Sequence, residues 1–196
     1  MADDRSGPVE APLRADGRRN RDQLLAAAEE IFAQQGTEAS LREIARRAGL
    51  GIGTLYRHFP TREALLEALL SRGFDRLRER AKSLMDAPEP GAALMTWAGE
   101  LAEAVARYDG LPASVMAAQH DPDSPLHAAC AQFGAAAREL LLRAQRSGRV
   151  RPDLTTDELL TTVNAMAWAA RQVPATGHGR QRLLSLLADG LKTRTS

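Results

Sequence analysis

Residues 40–62 read SLREIARRAGLGIGTLYRHFPTR, and few folds accommodate that stretch. Ser40 followed three residues later by Glu43 is a capping-box pair, in which each side chain satisfies a backbone N–H at a helix start. Leu41, Ile44, Ala45 and Ala48 then recur at helical spacing while Arg42, Arg46 and Arg47 fall opposite, so one face is core and the other cationic. Gly49 stands where a left-handed residue ends a helix, and Gly49-Leu50-Gly51 leaves room only for a sharp turn. A second helix over residues 52–59 turns Leu55 and Phe59 inward. Ile52, Gly53, Thr54, Tyr56, Arg57 and His58 remain for its outer side and N-terminus. Pro60 stops this helix and Thr61 caps the next. The spacing predicts a helix-turn-helix with its second helix exposed, a shape that fits the major groove of duplex DNA.

The segments AAAEEIFAQQG, LREIARRAGL, GTLYRHF and TREALL follow one another in order within residues 18–70. This run resembles the DNA-binding domain of TetR-family transcriptional regulators; beyond residue 84 the resemblance is one of plan. It implies that Arg42 approaches DNA and that Thr54, Tyr56, His58 and Arg62 clamp phosphates, with Gly51, Ile52, Gly53 and Arg57 nearest the bases. The chemistry suits those roles, because a hydroxyl, a phenol, an imidazole and a guanidinium all donate to oxyanions. Gly51 and Ile52 depart from the family's commoner polar residues. Direct reading then falls to Arg57 on a guanine and Ile52 on a thymine methyl, while Gly53 lets the backbone come close.

Charge argues against bulk coating of nucleic acid: 26 Lys and Arg against 25 Asp and Glu give a formal net charge of +1, so affinity requires a local basic surface. A single cysteine, Cys130, excludes an internal disulfide framework. No run of about twenty apolar residues and no charged-then-apolar leader occurs, so neither a membrane span nor export is expected and the location reads as cytoplasmic. Abundant Ala and Leu, scarce aromatics and no alternating pattern predict an all-α architecture of about nine helices.

Residues 1–17 read as a disordered N-terminal arm; Asp3, Asp4, Glu10 and Asp16 dilute the positive charge a minor-groove arm needs. Residues 18–60 form the DNA-binding head. Its first helix carries Leu24, Ala28, Ile31 and Phe32 on one stripe, with Arg18, Arg19 and Arg21 at its start, placed either to meet phosphate or to be solvated. Residues 61–84 read as a long helix, which by resemblance connects head and body and so forms a lever between them. After the break at residues 86–91, residues 85–196 read as a helical body, with capped helix starts at Ser124-Pro125 and Thr155/Glu158; the resemblance implies that it serves ligand binding and dimerisation.

By resemblance the body holds a small-molecule pocket. Trp97, Tyr108, Met116, Phe133 and Trp168 are the large side chains available to line it, with Gln119, His120 and Asn164 as polar anchors; each is also explained as plain core or surface. The apolar choice suggests a lipophilic effector. The last two helices correspond to the pair with which the family forms a four-helix homodimer interface, and offer Met166, Ala167, Ala170, Leu183, Leu187 and Leu191. His120, Asp121, Asp123 and His127 read better as a capped loop than as a metal site, and Cys130 as an inert buried thiol, so neither metal nor cofactor is expected. No nucleophile with a partnered base and no phosphate loop supports catalysis. The leading reading is a repressor released from a palindromic double-stranded operator by a lipophilic ligand. A ligand-independent or partner-controlled regulator comes second. A carrier or enzyme with a vestigial head comes third, and would be indifferent to DNA.

Overall fold

The computed structural model describes residues 10–107, 111–172, 182, 185, 186, 189 and 190. Its helices are α1 (Glu10–Gln35), α2 (Leu41–Arg47), α3 (Ile52–His58), α4 (Arg62–Ser83), α5 (Pro90–Ala106), α6 (Ala113–Ala118), α7 (Pro125–Arg146) and α8 (Thr156–Gln172). Among the described residues there is no β-strand, and the all-α expectation holds. The ninth expected helix, at about residues 180–193, falls largely outside the described residues.

Local chemistry ends these helices where the sequence predicts. Gly49 takes a φ of 70° after α2, and around it Gly49 N–H donates to Arg46 O (3.1 Å) while Leu50 N–H donates to Ala45 O (2.9 Å). That pair is a Schellman closure, which satisfies two carbonyls the helix leaves open. Ser124 Oγ accepts from Leu126 N–H (3.1 Å) and Thr61 Oγ1 from Ala64 N–H (3.1 Å). At the start of α8, Glu158 Oε2 accepts from Thr155 N–H (2.8 Å) while Thr155 Oγ1 accepts from Glu158 N–H (3.2 Å). The Thr155 N–H, and after it the Thr155 hydroxyl, which donates to the same Oε2 (2.9 Å), hold the Glu158 carboxyl below its ordinary range.

Two expectations need correction. The box at Ser40 does not close: Ser40 has the extended backbone of an N-cap but makes no side-chain capping bond, and Glu43 instead accepts from Gln35 Nε2 (3.4 Å) on α1. Residues 10–17, expected as part of a disordered arm, are the opening turns of α1. Pro12 does not prevent this, because in the first turn its missing N–H has no intrahelical partner to lose. Residues 1–9 lie outside the described residues.

The chain divides into two compact units, Met1–Leu69 and Leu70–Ser196. The division falls within α4, not near the break at residues 86–91 where the boundary was expected. One continuous helix serves two cores, so composition gives no sign of the cut. In the first unit α1, α2 and α3 pack on one another around Leu24, Ile31, Phe32, Ile44, Leu55 and Phe59, with Leu65, Leu66 and Leu69 of α4 also buried. In the second, α5 packs on α7 and α8, and its core includes Leu77, Leu94, Trp97, Phe133, Leu140 and Val163.

Candidate nucleic-acid interface and body cavity

Leu55 and Phe59, four residues apart, are buried and fix α3 to the head by one face. The opposite face is therefore outward. Tyr56 is 49% exposed, Arg57 is exposed, and Ile52 and Thr54 are partly so. Gly51 and Gly53 lack a positive φ, and a Cβ at either would meet nothing within 4 Å. Neither backbone geometry nor internal packing therefore calls for glycine here; what the two glycines leave is bare backbone at the opening of α3.

Thr54 and Arg57, expected as separate contacts, engage each other: Arg57 Nη2 donates to Thr54 Oγ1 (3.0 Å) and Nε to Gly53 O (3.4 Å). The guanidinium lies back along its own helix, against Gly53 and Thr54. Arg42 and Arg46 are exposed on α2, whereas Arg47 pairs with Glu30 of α1 at 2.7 Å, so part of the expected cationic face is neutralised. Arg62 departs most from expectation. Its Nη1 donates to Thr37 O (2.6 Å) and Ala39 O (2.7 Å), clasping the loop between α1 and α2 rather than standing ready as a phosphate clamp.

His58 is partly buried against Phe59, and with Gly17, Arg18 and Arg21 it lines a shallow depression. Arg21 sits over the Phe59 ring, 5.2 Å from its centroid, an arrangement the ring quadrupole favours. Arg18 and Arg21, two of the arginines at the start of α1, thus stand beside His58 of α3. Residues some forty positions apart meet here, and helical periodicity alone carries no signal of it.

The second unit holds a partly open cavity of about 390 Å³, within the range of small-molecule sites. Of the residues expected to line it, Met116, Gln119, Phe133 and Asn164 do so. Trp97 does not: it is fully buried, its Nε1–H donates to Leu77 O (2.9 Å), and it stacks on Phe133 at 5.6 Å, so it backs the wall from behind. His120 and Trp168 are exposed and lie off the wall, and Tyr108 lies outside the described residues. Gly73, Phe74 and Leu77 of α4 were missed, because that helix read as a connector. Cys130 also lines the cavity, and partial burial pushes its thiol up.

Of the expected dimer contacts, Ala167 is buried within its own subunit's core and is unavailable, while Met166 and Ala170 are partly exposed; Leu183, Leu187 and Leu191 lie outside the described residues. Trp168, expected in the pocket, is instead 58% exposed on α8. In the loop before α7, Asp121 Oδ1 accepts from Asp123 N–H (3.0 Å) and His127 Nδ1 lies 2.9 Å from Gln119 O, both ordinary structural contacts. Among the described residues no helix is long and apolar enough to cross a membrane.

A three-helix head presenting a short helix after a tight turn, on a chain whose helical second unit holds an apolar cavity, defines a helix-turn-helix DNA-binding regulator. Residues 24–69 match the family model described as bacterial regulatory proteins, tetR family, and residues 89–193 match that of the transcriptional regulator SbtR-like C-terminal domain. The chain belongs to the TetR family of transcriptional regulators. It is 29% identical over 178 residues to the HTH-type transcriptional repressor KstR of Rhodococcus jostii, covering 87% of this chain and 84% of that protein. Among solved structures, the TetR regulator SCO0520 of Streptomyces coelicolor superposes with a TM-score of 0.70 at 31% identity, over 89% of this chain and 99% of that one. A TetR regulatory protein of Mycobacterium vanbaalenii gives 0.66 at 35% identity, over 93% and 100%.

Proposed function

We propose that the protein is a homodimeric repressor that binds a palindromic operator through α3 and leaves it when a small apolar molecule enters the body. The observation that carries this reading is that α4 belongs to both halves: its first residues help close the head's core, and Gly73, Phe74 and Leu77 wall the cavity. A molecule that shifts the preferred position of that wall acts on the same helix that supports the head. Release then requires only that ligand and DNA favour different arrangements of one equilibrium. Its relative KstR is a repressor, which favours that sign of regulation.

On the DNA side, Arg57 swings from Thr54 to a base edge and frees the Thr54 hydroxyl for a phosphate, while the bare backbone at Gly51 and Gly53 admits close approach. Tyr56, His58, Arg18, Arg21 and Arg42 hold phosphates. Arg62 supports this surface from within. A single short helix makes too few contacts to find a site in a genome, so two copies act on symmetric half-sites.

Selection of bound sequences from random duplex DNA tests the reading. Recovery of one inverted repeat, bound by two copies, is the expected result; a non-repeating site, or no enrichment, overturns it. With that operator in hand, apolar compounds that occupy the cavity should weaken binding. If none does so, a ligand-independent regulator is the better description.

A further inference from the structure

Gly73 lies in the interior of α4, where glycine holds a helix less well than alanine would. Its φ is not positive, and a Cβ there would meet nothing within 4 Å, so neither the backbone nor the packing asks for glycine. It does lie on the cavity wall, next to Phe74. The missing side chain leaves room in the cavity. The rest of the wall is almost wholly apolar, its polar side chains being Gln119, Cys130 and Asn164, and none of its described residues is charged. Asn164 is exposed and Gln119 partly so, which puts both at the mouth.

We propose that this cavity takes an uncharged, largely apolar molecule bearing a hydroxyl or carbonyl, its bulk against the Gly73 backbone and its polar end at Gln119 and Asn164. The proposal rests on reading the cavity as the effector site. An ionised carboxylate or ammonium at this wall gives up part of its water and meets no countercharge among the described residues, whereas a hydroxyl or carbonyl is satisfied by a side-chain amide, which both donates and accepts. Gly73 thus decides how much bulk is admitted.

Cys130 is the chain's single cysteine and lies on the wall, so its rate of alkylation by N-ethylmaleimide reports occupancy without involving DNA. The probes are 1-decanol, decanoate and decylammonium, which share a chain and differ in charge. Decanol should slow alkylation at a concentration at least tenfold below either ion. Gly73→Leu should weaken decanol protection at least tenfold in a folded protein, and Gly73→Ala, which serves if the leucine variant does not fold, should weaken it less while leaving Tm equal or higher. Equal protection by an ion, undiminished protection in the Gly73 variants, or no protection by decanol overturns the proposal. Decanol that fills the cavity yet leaves operator binding untouched sinks the release mechanism alone; operator release by decanoate without decanol does the reverse.

Discussion

One guanidinium nitrogen of Arg62 holds the carbonyl oxygens of Thr37 and Ala39, and removing it leaves both without that donor at the corner where α1 hands over to α2. Hydrogen bonds to a charged donor make Arg62→Ala a loss of about 2–3 kcal/mol, measurable by urea denaturation. The same variant should weaken binding on every DNA sequence alike. Arg57→Ala should behave differently, costing about 1–3 kcal/mol at one base position and relaxing selection there, with folding stability nearly unchanged. Uniform weakening in a repeat of the selection experiment would mark Arg57 as a phosphate contact. Leu55 and Phe59 were legible in the sequence because four-residue spacing is a local signal. The role of Arg62 was not, because its partners are backbone atoms more than twenty positions away, and the motif resemblance pointed it toward DNA instead. Ser40 and Glu43 show the opposite failure: a correct local pattern is overridden because Gln35 of a neighbouring helix reaches the carboxylate.

Helix ends were the best-read elements. Gly36, Gly49 and Gly148 all take positive φ just past a helix, a position where any other residue is strained. Gly49→Ala should therefore destabilise the head by about 1 kcal/mol, seen as a lowered thermal midpoint. The closed box of Thr155 and Glu158 gives a second test, in which Thr155→Ala costs about 1 kcal/mol. Its pH dependence has a definite sign. The Glu158 carboxyl is held below its ordinary value in the fold, so its contribution is present above the unfolded pKa and is lost as pH falls through the folded one. A Glu158→Gln protein should flatten the acid limb of the stability curve slightly. The start of α1 was less legible, since Asp, Pro and Gly near residues 10–17 look like an arm when read without the helix they extend.

At the scale of the molecule, two units with an all-α build follow from helical periodicity, yet the cavity was only half foreseen. Phe133, Met116, Gln119 and Asn164 are legible because they are among the large or polar side chains that the middle helices offer. Size alone cannot separate a wall residue from one behind the wall, which is why Trp97 was misplaced; its indole N–H is satisfied by Leu77 O inside the core. Trp168 was misplaced in the other direction. Its exposure on α8 makes it the described residue with most to gain from a partner copy. Trp168→Asp should lower the dimer fraction in sedimentation at micromolar protein without lowering the thermal midpoint of the monomer.

The position of the cut between the two units carries a practical corollary for anyone dissecting the protein. A fragment stopped at Phe59 would lack Leu65, Leu66 and Leu69, three buried leucines that belong to the first unit, and should melt at low temperature or not fold. A fragment carried on beyond Leu69 keeps them. Transplanting this reader onto a foreign sensor therefore means splicing within a helix, where one residue too many or too few rotates everything downstream by about 100°.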